Sequence, residues 1–287
     1  MKRIIAALGT AVSLVLLSSA AAGQALPAPS VKKPQVDTPW RVLFVGSSIM
    51  YYAGALQTHT HRIAAAANPP LDLRSGFTSV HITTGALHYY PREHYLTQGN
   101  LDKKEPFQVV VLGGNFRDGM TDAGRARYRK TVIEYDALTR KHGGRPALYW
   151  LPPHGEPGGP LPPAELGSRL AEMTLAVGNE IGAIVIPVGL AFQEAYRQRP
   201  GIKLQMGYDD YHPTFAGQYL AASVVYASLY ERSPVGNPYD YFGAIDPDTK
   251  AFVQQVADET ERKLFGREGE RASICAASNC RWRTAPQ

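Results

Sequence analysis

Cysteine is nearly absent from this 287-residue chain; the two it has, Cys275 and Cys280, both stand close to the C-terminal end. That scarcity excludes a disulfide-stapled miniature fold and a cysteine-rich zinc domain. Long apolar runs are missing too. The run over residues 4–17 falls short of the roughly 20 residues that cross a bilayer as a helix. Lysine and arginine do not gather into stripes, so a formal charge of +5 marks no nucleic-acid surface. No internal repeat is present, which excludes solenoids and propellers.

What the first apolar run does carry is an export pattern. Lys2 and Arg3 precede it, small residues follow it, and Gly23-Gln24-Ala25 fits a cleavage site. A signal peptide over residues 1–25 is expected, with a periplasmic or secreted product and no stable membrane anchor; an uncleaved N-terminal anchor is the alternative. Loss of Lys2 and Arg3 takes the formal charge from +5 to +3. Residues 26–38 are rich in Pro and Lys, lack periodicity and read as a disordered leader. Residues 39–266 are the size of one α/β domain, and residues 267–287 form a tail. In an oxidising compartment Cys275 and Cys280 are expected to pair. So short a loop contributes about 2 kcal/mol in the chain-entropy model, enough to pin the tail without holding the core.

Apolar, β-branched runs at 41–46, 79–83, 108–112, 146–151 and 183–187 alternate with helical patterns. Continuous apolar runs are the mark of strands buried on both faces of a parallel sheet. Helices are predicted over 53–67, 121–142, 163–181 and 213–230, and a last one from an Asp246 cap to Phe265, stopped by Gly266. In the second of these, Tyr128, Val132, Tyr135 and Leu138 form the inner stripe. Pro213 suits a first helical turn. The alternation predicts a three-layer α/β/α sandwich around a central five-stranded parallel sheet. Such sheets place their sites beyond the carboxyl ends of the strands.

The residues that carry chemistry fall there. Ser48, in Gly46-Ser47-Ser48, follows the first strand. A serine hydroxyl needs a base to become a nucleophile; the plainer reading of a bare Gly-Ser-Ser is a helix cap. Asp209-Asp210-Tyr211-His212 precedes Pro213, which keeps His212 out of helical angles. Asp209 is placed to bind one ring nitrogen and leave the other as a base, the role a triad carboxylate plays. Asp210 is the rival carboxylate. A turn with helix caps is the plainer reading of this segment as well. Asp209, Asp210 and His212 are also metal-ligand types, but no partner ligand is in view and no metal is expected. Gly113-Gly114-Asn115 follows the third strand, where glycine permits close approach of backbone and ligand and the Asn115 amide can donate to an oxyanion. Gly85 offers a further backbone N–H.

In order and spacing, Gly46-x-Ser48, Gly85, Gly113-x-Asn115 and Asp209-x-x-His212 resemble the SGNH hydrolase (GDSL esterase/lipase) superfamily over about residues 41–232. The resemblance implies the flavodoxin-like SGNH fold, a Ser48 nucleophile, a His212 base and an Asp209 orienter. It also implies an oxyanion hole of the Ser48 N–H, the Gly85 N–H and the Asn115 side chain, with no cofactor. The commoner residue at position 47 in that family is Asp or Asn, so Ser47 competes with Ser48 for the nucleophile. The segment around Gly85 diverges from the family pattern.

The expected activity is hydrolysis of carboxylic esters, with a small-molecule or glycan ester as partner. Acyl transfer to an envelope polysaccharide, or a non-catalytic binding module on the same fold, are the alternatives. Tyr89 and Tyr90, in an aromatic-rich segment, and Phe116 and Arg117, after the third strand, are candidate substrate contacts; a packed surface loop and solvated arginines are the plainer readings. The proline-rich stretch 152–163 reads as a rim, a lid or a stiff connector.

Overall fold

In the computed structural model, which describes residues 26–74, 76–152 and 163–267, the five apolar runs pair into one parallel sheet. Its strands are β1 (Val42–Gly46), β2 (Phe77–His81), β3 (Val109–Gly113), β4 (Arg145–Tyr149) and β5 (Ile184–Ile186). They lie in the order β2-β1-β3-β4-β5. Val42 stands opposite Phe77 on one side and Val109 on the other. Strands β1 and β3 are buried throughout, as continuous Val-rich runs require. The expected second strand begins earlier than its sequence suggests. Phe77 pairs with Val42, and after His81 the chain turns, with the Gly85 N–H donating to the Ile82 carbonyl at 2.8 Å.

The short α3 (Arg92–Leu96) packs on α4 (Asp122–Lys141), and α4 and α5 (Pro163–Ile181) pack together and against β4, with α5 also on β5. On the other side α2 (Leu56–Ala65) packs on α7 (Phe215–Tyr230), which is backed by α8 (Pro247–Phe265) and α6 (Val188–Gln198). Helix α7 is apolar all round and almost wholly buried, as a helix of that composition must be. The expected ends of α4 and α8 hold: Thr121 caps α4, Asp246 caps α8 with Pro247 behind it, and Gly266 closes α8 at φ 72°. The expected stripe of α4 is buried at Tyr128, Val132 and Tyr135, and half-buried at Leu138.

Three expectations are corrected. The helix expected over 53–67 is shorter, α2 alone; a separate short helix, α1 (Ser48–Tyr51), precedes it, and Ala53, Gly54 and Ala55, with φ of 52°, 91° and 64°, stand between the two. Pro213 is not in the first turn of α7; it bridges to Gln205, and Thr214 is the cap, accepting the Gly217 N–H. The leader over 26–38 has no regular structure but is not loose. Ser30 N–H donates to Asn179, the Asn179 amide to the Ala28 carbonyl, and Gln35 to the Gly182 carbonyl, while Val31 and Val36 lie on the core. The expected signal peptide, the Cys275–Cys280 pair and the stretch 153–162 lie outside the described residues. Among the described residues no helix is long and apolar enough to cross a membrane.

Chain order reverses between β1 and β3, so their carboxyl ends flank a switch point where open α/β sheets bind ligands. One side chain plugs this place. A Cβ built on Gly46 would lie 2.1 Å from the Met50 sulfur, and one on Gly113 2.2 Å from it. Both glycines therefore make room for Met50, which seats α1 on the sheet. Gly114 is similarly closed by the Tyr128 ring at 2.8 Å. The sequence expectation that Gly113 and Gly114 open the backbone to a ligand is thus corrected: they open it to packing side chains. Gly113→Ala is expected to destabilise the protein by about 1–3 kcal/mol, the usual cost of overpacking. In a Met50→Ala background the same change is expected to cost much less. A denaturant-melting double-mutant cycle reads the coupling.

Candidate active site

Asp209 and His212 meet because the chain between Leu204 and Thr214 folds back on itself. The Met206 N–H donates to the His212 carbonyl at 2.8 Å and the Thr214 N–H to the Leu204 carbonyl at 2.9 Å. The turn closes through Asp210, in the left-handed region at φ 58°, which Asp tolerates better than most residues. Asp209 Oδ1 accepts the N–H groups of Tyr211 and His212, both at 3.1 Å. Its Oδ2 accepts His212 Nδ1–H at 2.5 Å. That bond fixes the tautomer, so Nε2 carries the free lone pair. Nε2 is buried and makes no hydrogen bond among the described residues. The choice of Asp209 over Asp210 agrees with this geometry.

Burial raises the Asp209 pKa, but the His212 ring and the two backbone N–H groups more than offset it, leaving the carboxyl below its ordinary value. Its contribution to stability is therefore present above the ordinary carboxylate range and lost as pH falls through the depressed value.

Ser47 and Ser48 are both buried and both line a cavity of about 30 Å³, together with Ile49, Thr84, Asn115, Phe116, Arg117 and Tyr211. Ser47 precedes α1 in extended geometry, yet its side chain makes no capping hydrogen bond. The cap-only reading therefore fails for this pair. Ser48 opens α1, where a backbone N–H has no intrahelical partner. The Ser48 hydroxyl makes no hydrogen bond to His212 Nε2. The two are linked through Tyr52, whose N–H donates to the Ser48 carbonyl at 2.9 Å and whose ring stacks on His212 at 3.7 Å. A second tie is Gln218 of α7, which donates to the Met50 carbonyl at 2.9 Å.

Asn115 is oriented by its neighbours. Its Oδ1 accepts the Arg117 N–H at 2.9 Å, so its Nδ2 faces the loop after β2, donating to the Thr84 carbonyl at 3.0 Å. A longer contact of 3.4 Å runs to the Gly85 carbonyl. Asp118 holds the Asn115 N–H at 3.0 Å. Phe116 and Arg117 border the cavity, with the Arg117 guanidinium 5.4 Å from the Phe116 ring.

Three expected site residues are displaced. The Gly85 N–H is engaged with the Ile82 carbonyl in the turn, and Thr84 rather than Gly85 lines the cavity. Tyr90 is buried, its hydroxyl donating to the Gly46 carbonyl and accepting the Ile82 N–H; it braces the ends of β1 and β2 and does not face substrate. Tyr89 is exposed beside His88 and is not among the cavity-lining residues. Sequence reasoning assigned no role to Tyr52 or Tyr211; the aromatic doublet Tyr51-Tyr52 just after Ser48 was the available signal. Among the described residues no three His, Cys, Asp or Glu side chains gather as metal ligands. Carboxyl NMR is expected to show the Asp209 midpoint below 3.8, rising in His212→Ala as the ring hydrogen bond is lost and remaining held down in part by the two N–H donors.

No protein-family model and no curated protein sequence matches the chain. Solved structures do. A DUF4886 family protein from Bacteroides uniformis ATCC 8492 superposes with a TM-score of 0.58 at 16% identity, covering 79% of this chain and 95% of that one. The acetyl xylan esterase AlAXEase superposes with a TM-score of 0.51 at 14% identity, covering 65% of this chain and 98% of that one. The five parallel strands and the flanking helix layers agree with the expected architecture, and the chain shares the α/β/α fold of these two structures.

Proposed function

We propose that this protein is a serine esterase that hydrolyses short-acyl esters through an acyl-enzyme on Ser48. The observation that carries the reading is the Asp209–His212 pair, with Nε2 left unbonded, joined through Tyr52 to the peptide of Ser48, which shares a cavity at the switch point with Ser47. In the first step His212 Nε2 takes the Ser48 proton as Oγ bonds to the ester carbonyl carbon. The negative oxygen is held by the Ser48 N–H and by Asn115 Nδ2, which gives up its long contact to Gly85. Loss of one such donor costs about 3–4 kcal/mol of transition-state stabilisation. The imidazolium then protonates the departing alcohol. Water, deprotonated by the same nitrogen, attacks the acyl-enzyme and releases the acid, restoring Ser48. Asp209 stays ionised throughout and holds the ring.

The cavity supports a small acyl group. A volume of about 30 Å³ holds little more than one water-sized group, which suits the methyl of an acetyl. That AlAXEase, of like fold, is an acetyl xylan esterase fits an acetylated carbohydrate as the alcohol side. Export, with a mature chain beginning after Ala25, and a Cys275–Cys280 bond complete the proposal.

With p-nitrophenyl esters, kcat/KM for acetate is expected to exceed that for octanoate by roughly 10- to 200-fold, the discrimination a tight pocket supplies against added methylenes. Ser48→Ala is expected to abolish turnover with an unchanged melting temperature, while Ser47→Ala keeps most of it. Full activity in Ser48→Ala, or a preference for octanoate, contradicts the proposal.

A further inference from the structure

Tyr52 touches both halves of the site. Its backbone N–H donates to the carbonyl of Ser48 at 2.9 Å, closing α1. Its ring lies over the His212 imidazole, centroids 3.7 Å apart and planes within 14°. One residue is thus bonded to the nucleophile's own peptide and stacked on the base.

The chain reaches this position at a cost. The three residues after Tyr52, Ala53, Gly54 and Ala55, all have positive φ, and two of them carry a Cβ. Such backbone persists where surrounding structure over-determines it, and it clusters at functional sites. The supports are specific. His59, fully buried in α2, makes a 2.7 Å hydrogen bond from Nε2–H to the Ala53 carbonyl, and the Tyr239 hydroxyl donates to its Nδ1 at 3.3 Å. Burial lowers the His59 pKa, against the opposing effect of the Ala53 hydrogen bond, and the Ala53 carbonyl, which can only accept, calls for a proton on Nε2. The Tyr241 ring closes the space above Gly54, where an added Cβ would lie 2.7 Å from it, and stacks in turn on Phe215 at 4.8 Å.

We infer that Tyr52 is a positioning residue that holds the His212 imidazole in register with Ser48; the inference rests on the serine-esterase reading. Asp209 grips the ring at one nitrogen, which leaves rotation about that hydrogen bond open. A face-to-face partner closes that freedom and aims the Nε2 lone pair. The π face also lies against the ring at the moment it gains a proton from Ser48, where a cation over an aromatic face is favoured.

The test compares Tyr52→Phe, Tyr52→Leu and Tyr52→Met in the full chain with p-nitrophenyl acetate, and follows the downfield Nδ1–H proton resonance of His212 by NMR. Phe keeps the ring face and is expected to stay within about threefold of the parent in kcat, since rings of either type can stack. Leu and Met remove the face and are expected to lower kcat roughly 10- to 100-fold with KM little changed, and to broaden the Nδ1–H line by faster exchange. Should Leu fail to fold, Met, which adapts to irregular space, decides. Parent-like kcat and an unchanged Nδ1–H line in Met overturn the inference. The NMR line reads Tyr52 even if the parent hydrolyses no ester, so failure of the esterase reading and failure of the Tyr52 role are told apart.

Discussion

The hydrogen bond from His212 Nδ1 to Asp209 Oδ2 decides what the rest of the site can do. It spends one ring nitrogen on a carboxylate and leaves the other as an acceptor in a buried position. It is a local bond, formed within one tight turn whose backbone N–H groups also bind the same carboxylate. The base is therefore assembled by short-range geometry alone. Long-range structure has a different task, which is to bring that turn to the carboxyl ends of β1 and β3.

Three contacts do this. Met50 fills the space left by Gly46 and Gly113 and seats α1 at the switch point. Gln218 ties α7, which begins just after the His212 turn, to the Met50 carbonyl. Tyr52 stacks on the imidazole itself. The last two join the segment after β1 to the segment before or within α7, elements more than 150 residues apart in the chain. Because these contacts are side-chain packing and buried hydrogen bonds, they are stiff in the way close-packed interiors are. The small cavity beside the serines follows from the same tight closure.

The sheet was legible in the sequence for a plain physical reason. Strands buried on both faces need unbroken apolar stretches, and Val42–Gly46 and Val109–Gly113 supply them. The half-buried edge strand Phe77–His81, with Thr and Ser inside it, was placed late because its pattern is weak. Helix α6 went unseen because it starts directly after β5, without a separating loop. The break after Tyr52 went unseen because alanines at positive φ look helical in sequence and are held otherwise only by His59 and Tyr241. In the site, Asp209 and His212 were readable since the pair is local. Gly85 and Tyr90 were misread because a backbone N–H and a phenol show no sign, in sequence, of the partner each has already taken.

The most direct test is covalent. A fluorophosphonate probe reacts with a serine only where a base draws off its proton. After incubation of the full chain, peptide mass spectrometry is expected to find the adduct on Ser48, with Ser47 unmodified, and to find it lost in His212→Ala. An adduct on Ser47, or no adduct on a folded protein, contradicts the account.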